Sequence, residues 1–198
     1  QFINTTELIW TYRGTEALDK NITCKVDYNI TEFNSTVYTF RRNFTVNETE
    51  KNSHQMQGRL LMTKSSQNVP ERICSAWVVT DDETGSNTLE VIIYQTQNNT
   101  CAVFYILPLS GASEGDGIAL LSEDDFFCEI RVKNSITSEP YTRPKKKEKL
   151  VVNNKQPPQE CLDAYRLHCT GRGKARDVQV YYPRCKRHYK GAPPAKHS

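Results

Sequence analysis

The sequence lacks the features that mark a membrane-spanning, metal-binding or nucleotide-binding chain. No stretch approaches the roughly 20 apolar residues that cross a bilayer, and hydrophobic residues make up only 37% of the 198. No Cys-x-x-Cys pair is present and no His lies at metal-ligand spacing from a Cys, so we expect no metal site. The one glycine-rich stretch, residues 111–117, is acidic and would repel phosphate.

Catalytic motifs are missing as well. The four histidines are His54, His168, His188 and His197, and none sits in a nucleophile context such as Gly-x-Ser-x-Gly. The acidic pairs near residues 81–83 and 124–125 are most simply solvated turns. We therefore expect a binding protein with no catalytic residue, no cofactor, no nucleic-acid partner and no membrane span.

Cysteines and glycosylation acceptors are plentiful instead. The seven cysteines favour a disulfide framework formed in an oxidising compartment. Seven Asn-x-Ser/Thr acceptors predict an exposed, heavily glycosylated surface on a secreted, extracellular protein. A chain that opens at Gln1 fits a mature terminus left by signal-peptide cleavage. The acceptors begin at Asn4, Asn21, Asn29, Asn34, Asn43, Asn47 and Asn98.

Charge is distributed unevenly along the chain. Residues 1–140 hold 11 Lys and Arg against 19 Asp and Glu, a net of −8, whereas residues 141–198 hold 15 against 4, a net of +11. A basic C-terminal third suggests an anionic partner, such as a heparan-like glycan or an acidic patch on a protein. A solvated basic tail explains the same composition equally well.

Strand patterns dominate the first two-thirds of the chain. Short runs rich in Val, Ile, Tyr, Phe and Thr recur between Asn, Ser, Gly and Asp clusters. Strands linked in this way predict a mainly β fold, an eight-stranded antiparallel up-and-down barrel that closes its own edges. The predicted strands are Glu7–Thr15, Thr23–Ile30, Thr36–Val46, Gln55–Thr63, Ile73–Thr80, Thr88–Thr96, Ala102–Leu107 and Phe126–Lys133.

The third predicted strand indicates which of its faces points inward. Alternate residues take opposite faces of a strand, and a glycan on Asn43 must point to solvent. The other face, with Tyr38, Phe40, Arg42 and Phe44, is therefore expected to line the interior. A charge there needs a partner, water or a ligand. The rings are either core filling or, if the barrel keeps empty volume, a ligand cage.

The C-terminal third contains one predicted helix and one predicted strand. Residues Arg143–Lys155 form a polar, basic loop or linker. Prolines precede and Gly171 follows Gln159–Cys169, which predicts a short helix pinned by its two cysteines. Asp177–Cys185 is predicted as a last strand. We expect one domain over residues 1–185 and a basic, disordered tail over residues 186–198.

The order of these elements resembles the lipocalins, and the spacing of five short pieces resembles the tick salivary lipocalins, the group with histamine-binding and japanin-like members. The resemblance implies an eight-stranded barrel with a C-terminal helix. The matching pieces span nearly the whole chain: Leu8–Arg13, Asn99–Tyr105, Cys128–Ile130, Pro158–Tyr165 and Tyr181–Cys185.

The resemblance also implies a disulfide pattern. Cys24 would pair with Cys185, Cys101 with Cys161 and Cys128 with Cys169. Two of these bonds would hold the helix against neighbouring strands, and the third would tie the last strand to the second. Cys74 is left over, either as a buried free thiol or as a link to a second chain.

The chain departs from the pattern of amine-binding members of this group. Ala102 stands where the family has an acid after the seventh-strand cysteine, and Glu129-Ile130-Arg131 replaces Glu-Leu-Trp. If the cysteines face outward, Phe104, Phe127, Glu129 and Arg131 face the interior. Arg131 or Arg42 would then neutralise Glu129, which argues against capture of a monoamine.

Three functions remain open at this stage. The leading one is sequestration of a hydrophobic or amphipathic host molecule, such as a sterol or fatty-acid mediator, which would modulate inflammatory defence. The alternatives are a protein-binding immune modulator, acting on complement or dendritic cells, and a scavenger of histamine or serotonin. The predicted ligand-binding residues are Tyr38, Phe40, Arg42, Phe44, Phe104, Phe127, Glu129 and Arg131.

Overall fold

The computed structural model describes seven segments of the chain: residues 2–15, 21–34, 36–61, 75–109, 126–137, 156–170 and 176–189. Cys74 and the basic loop Arg143–Lys155 lie outside these segments, so the predictions made for them stay predictions.

Eight antiparallel strands form a closed up-and-down barrel. Each strand from β2 to β7 pairs with the strand that follows it along the chain. Strand β1 pairs with both β8 and β2 and so closes the ring. The fold class expected from the sequence is confirmed. The strands are β1 (Ile9–Gly14), β2 (Ile22–Asn34), β3 (Val37–Val46), β4 (Glu50–Leu61), β5 (Ala76–Asp81), β6 (Asn87–Gln95), β7 (Cys101–Pro108) and β8 (Phe127–Lys133).

The seam between β1 and β2 is short and is filled by the C-terminal part of the chain. Only Ile9 and Trp10 are in register with β2, because a two-residue strand, β9 (Val178–Gln179), pairs with the other end of β1. The Val180 carbonyl accepts from the amide of Cys24 at 2.8 Å, and the Val180 amide donates to Tyr12. Residues from opposite ends of the chain thus complete the wall together.

The barrel wall carries two separate apolar cores. The interior core contains Phe40, Trp77, Phe104 and other inward side chains of the strands, together with Phe2 of the N-terminal segment. The second core lies outside the wall of β1, β7 and β8, where Trp10, Val103 and Ile130 pack against Tyr165 and Tyr181. The helix therefore rests on the outside of the barrel and leaves the interior to the strands.

A short helix and three disulfides cover that outer wall. Helix α1 (Gln159–Tyr165) follows Pro158 and continues into a wider π-helical turn, Arg166–Thr170. The implied pairings Cys24–Cys185, Cys101–Cys161 and Cys128–Cys169 are all present. The second joins α1 to β7 and the third joins the π turn to β8, so the two ends of the helical segment are each bonded to the barrel.

Several boundaries differ from the sequence predictions. The predicted strand Asp177–Cys185 is wrong for most of its length, because β9 has two residues and Pro183–Tyr189 is a 3₁₀ helix. Only Arg13 and Gly14 of β1 are in register with β9, which limits its length. The predicted helix ends as an α-helix at Tyr165 and not at Cys169. The 3₁₀ helix ends at Tyr189, and the domain boundary predicted at residue 185 stays a prediction.

Candidate functional site

The eight predicted ligand-binding residues all lie on strands whose inward faces line the barrel, but they do not form one pocket. Tyr38 borders a cavity at the end where the N-terminal segment lies. Phe40, Phe104 and Arg131 border a smaller void deeper inside. Arg42 and Glu129 lie in a buried network of ion pairs. Phe44 packs on His54, at 5.1 Å between ring centroids, and Phe127 lies opposite Ile106 of β7.

Arg42 is held by carboxylates from two other strands. Its Nε and Nη2 donate to the two carboxylate oxygens of Asp27 at 2.7 and 2.9 Å, a bidentate pair across β2 and β3. Its Nη1 donates to Glu90 Oε1 at 3.0 Å. Arg42 is only 8% exposed, so these partners replace the water that its charge has lost.

Arg131 continues the same network from β8. Its Nη1 donates to Glu90 Oε2 at 2.5 Å, and its Nε donates to Glu129 Oε2 at 2.6 Å. Glu90 therefore bridges the two arginines, one to each carboxylate oxygen. Glu129 takes a further hydrogen bond from Lys25 and one of 3.4 Å from the Thr11 hydroxyl.

The environment of the network keeps Glu129 and Glu90 ionised. Burial alone would raise the pKa of Glu129, but Arg131 and Lys25 lower it to about 2. Glu90 is buried too, and the pKa of its carboxyl lies well below the usual range because Arg131 and Arg42 face it. Burial would lower the pKa of Arg131, but Glu129 and Glu90 hold it above its usual value. Arg131 and Lys25, not Arg42, thus neutralise Glu129 by direct contact.

One hydrogen-bond donor of the network remains unused. Arg131 is only 3% exposed, and its buried Nη2 has no hydrogen-bond partner among the described residues. Arg131 borders a void of about 10 Å³ together with Phe2, Phe40 and Phe104. That volume holds about one water-sized group. A buried donor without a partner is unusual enough to need an explanation.

A larger cavity opens beyond this void toward the N-terminal end of the barrel. Its volume is about 90 Å³. Apolar and aromatic side chains dominate its inner part, including Ile30, Tyr38 and Trp77, whereas Glu32 and Asn34 stand at its rim. Three residues border both spaces, so the cavity and the void adjoin, and the two together are called the tract below. The three shared residues are Ile3, Ile30 and Tyr38.

The N-terminal segment, residues 2–8, occupies this end of the barrel. Phe2 is fully buried, with its ring edge-on to Phe104 at 6.0 Å between centroids. Glu7 accepts from the amide of Ser135 at 2.8 Å, which holds the segment to the turn after β8. The segment thus forms a wall of both the cavity and the void.

Tyr38 owes its position to a glycine on the next strand. Tyr38 and Gly58 are direct partners in the register of β3 and β4. A Cβ atom on Gly58 would lie 2.3 Å from Cζ of Tyr38, so only glycine leaves room for the ring. The ring then stacks on Phe40 and stands edge-on to Trp77. Burial, and next the charge of Glu90, raise the pKa of the Tyr38 hydroxyl, which is therefore neutral.

Sequence reasoning missed several residues of this site, among them Lys25, Asp27, Glu90, Phe2 and Trp77. Asp27 lies on β2 between two register shifts, near Cys24 and Asn29, whose φ values are 53° and 51°. These bulges interrupt the alternation from which its face would be read. Glu90 left a usable signal, because it is the one charged residue within the apolar run 89–93 of β6.

The glycosylation acceptors lie on or near the surface of the described structure. Six of the seven are exposed, and Asn43 is half-buried on the outer face of β3, where its Oδ1 accepts from the Tyr28 hydroxyl at 3.2 Å. Asn34 and Asn98 accept from the hydroxyls of Thr36 and Thr100 two residues on. All seven remain predicted acceptors.

No protein-family model matches the chain, and no curated protein matches its sequence. The longest α-helix of the described segments has seven residues, far short of the roughly 20 that span a bilayer. The class is defined by architecture instead: a closed eight-stranded antiparallel barrel with a C-terminal helix and three disulfides is a lipocalin-like fold. Barrels of this size enclose an interior wide enough for side chains or one small ligand.

Proposed function

We propose that this protein is a secreted tick salivary lipocalin that sequesters a small hydrophobic or amphipathic host molecule and thereby dampens host defence. It acts by binding, without catalysis. The observation that carries the proposal is the tract inside the barrel, whose inner walls are apolar and aromatic and which includes the N-terminal cavity and the void beside Arg131. The disulfide pairing implied by the family resemblance supports the family assignment and an extracellular site of action.

The size of the tract requires the N-terminal segment to move for any ligand of ordinary length. The cavity volume of about 90 Å³ is smaller than the cavity of roughly 150 Å³ that accommodates one benzene molecule. Ile3, Asn4 and Thr5 line the cavity and precede β1, so no strand pairing holds them in place.

The charges of the site support an amphipathic ligand over a monoamine. An ammonium group needs a carboxylate in a desolvated pocket, and Glu129 is already engaged by Arg131, Lys25 and Thr11. Trp77 and Tyr38 offer aromatic walls, but the acid nearest them in the cavity lining, Glu32, is exposed.

Mass spectrometry of molecules extracted from protein secreted by eukaryotic cells tests the proposal. Calorimetric titration with a sterol, a long-chain fatty acid, histamine and serotonin then compares the ligand classes. We expect at least one apolar or amphipathic molecule to bind at micromolar concentration or below. An empty extract together with no binding by any of the four classes would contradict the proposal.

A pair of variants locates the site. Ile30→Trp fills the tract and is expected to reduce affinity at least tenfold. Val78→Trp places the same side chain on the outer wall of β5, in a groove lined also by Arg59 and Leu61, and is expected to leave affinity unchanged. Equal losses in both variants would place the ligand elsewhere.

A further inference from the structure

The buried network has no charge to offer a ligand. It contains three cations and three carboxylates, which are Lys25, Arg42, Arg131, Asp27, Glu90 and Glu129. Every member has at least one partner of opposite sign within the network. As ionised, the six groups sum to zero, so a ligand cation or anion arriving beside them would be a buried charge without a counter-charge.

The network does have a hydrogen bond to offer. Nη2 of Arg131 can only donate, since a guanidinium group has no acceptor, and it has no partner among the described residues. The other arginine differs in this respect, because Nε, Nη1 and Nη2 of Arg42 all donate to carboxylates. The site therefore still needs a hydrogen-bond acceptor for Nη2, whereas its charges are already balanced.

The space beside Arg131 fits one such atom. The void of about 10 Å³ admits about one oxygen-sized group, and its other walls include the rings of Phe2, Phe40 and Phe104. Asp27, which pairs with Arg42, also lines the void, and the remaining lining residues are apolar or aromatic. A molecule reaching this point thus meets the unused donor of Arg131 beside a carboxylate that is already paired. The remainder of its length lies along Ile30, Tyr38 and Trp77.

We propose that the ligand is uncharged at its inner end and presents there a single hydroxyl or carbonyl oxygen to Nη2 of Arg131. This inference rests on the proposed function and narrows it to neutral, oxygen-bearing apolar molecules. Carboxylate ligands are excluded because they would add a fourth negative charge to the network. Amine ligands are excluded because they would add a fourth positive charge.

A matched series of ten-carbon probes tests the inference on the full-length protein at pH 7.4. The probes are 1-decanol, decanoic acid, decylamine and decane. Their binding is followed by calorimetry or by tryptophan fluorescence, to which the cavity residue Trp77 contributes. We expect 1-decanol to bind at least tenfold more tightly than each of the other three. The acid and the amine carry the wrong charge, and the alkane has no acceptor.

Two arginine variants assign the effect to its atom. Arg131→Lys keeps the charge and removes Nη2, so the preference for 1-decanol over decane should fall to less than twofold. Arg59→Lys, the control, exchanges an exposed arginine of β4 that lies outside the network, so the preference should persist. Circular dichroism establishes that both variants retain the barrel.

The outcomes distinguish this inference from the proposed function. Decanoic acid binding as tightly as the alcohol would overturn the neutral inner end and point to Lys133, which lies near Phe2 at the same end. Decane binding as tightly as 1-decanol would mean that Nη2 of Arg131 donates to a water molecule. That result would also overturn the inference that a ligand oxygen accepts from Nη2. In both cases the proposed function stands. Failure of all four probes, with an empty extract, contradicts both.

Discussion

Arg131 and Glu90 meet inside the barrel from strands β8 and β6, with Nη1 of Arg131 donating to Glu90 Oε2 at 2.5 Å. Glu90 also accepts from Arg42, so one carboxylate joins two guanidinium groups that come from opposite sides of the interior. Removal of one partner from a buried set of ion pairs leaves another charge without compensation, and that cost exceeds the value of the pair itself.

Glu90→Gln is therefore expected to lower the free energy of unfolding by roughly 3–5 kcal/mol. The amide keeps the size of the side chain but leaves the network with one excess positive charge. Chemical denaturation followed by Trp fluorescence measures the change. Glu50→Gln, on the exposed start of β4, is the control and should change stability by less than about 0.5 kcal/mol. Similar losses in the two variants would show that the network contributes little.

Gly58→Ala is expected to displace the ring of Tyr38, because the added Cβ atom would lie 2.3 Å from Cζ of that ring. Forcing one extra carbon into a packed interior costs about 1–3 kcal/mol, and ligand affinity should fall because Tyr38 borders both the cavity and the void. Thermal unfolding and probe titration measure the two effects.

The double variant Tyr38→Ala/Gly58→Ala tests the cause. Without the ring there is no collision, so Gly58→Ala should cost far less stability in the Tyr38→Ala background than in the native one. Additive losses would rule out the steric explanation.

The pH dependence of stability should follow the carboxylates of the network. The pKa of Glu129 falls from about 4.3 in an unfolded chain to about 2 in the folded protein, and Glu90 shifts in the same direction. Their contribution is fully present above about pH 5 and is lost as the pH falls through about 4 to 2, on the order of 3 kcal/mol for Glu129. Urea denaturation at pH 7, 5, 4 and 3 measures it.

In Glu129→Gln the fall in stability between pH 4 and 3 should be shallower than in the native protein, because one titrating group has been removed. An equally steep fall would assign the acid sensitivity to other carboxylates.

Removal of the Cys128–Cys169 disulfide by a double Ser substitution should loosen the helical segment without changing the ligand site. The bond lies in the outer core, which shares no member with the interior core. Loss of a native disulfide typically costs about 2–5 kcal/mol. We expect a lower midpoint of thermal unfolding and faster proteolysis near residues 159–170, with probe affinity within twofold of the native value. A parallel loss of affinity would show that the two cores are coupled.

The inward residues that were predicted correctly lie where strand alternation is regular or anchored. Asn43 anchors β3, so the inward positions of Tyr38, Phe40 and Arg42 follow from it. The outward cysteines anchor β7 and β8 in the same way and identify Phe104, Glu129 and Arg131 as inward. What resisted prediction lacks such an anchor. Asp27 follows a bulge in β2. Both faces of β6 around Glu90 carry apolar residues, so the pattern does not show which face is inward. Phe2 lies before the first strand, where no alternation exists.

The pairing of these charges is harder still to predict, because it depends on distance across the barrel. Arg42 and Glu90 are 48 residues apart in sequence, and Lys25 and Glu129 are 104 apart. Only the complete ring of strands brings them within reach of one another. The sequence could show that inward charges need partners, but not which partners they find.

The seam at β1 has a consequence for how this protein is made. Residues Val178–Val180, which fill the gap beside β1 and bond to Tyr12 and Cys24, leave the ribosome after all eight barrel strands. The wall therefore stays open until residues 178–180 have been made, and sealing it joins them to residues of β1 and β2 that were made much earlier. A nascent chain halted before this point would expose the edge of β1 to chaperones and quality control.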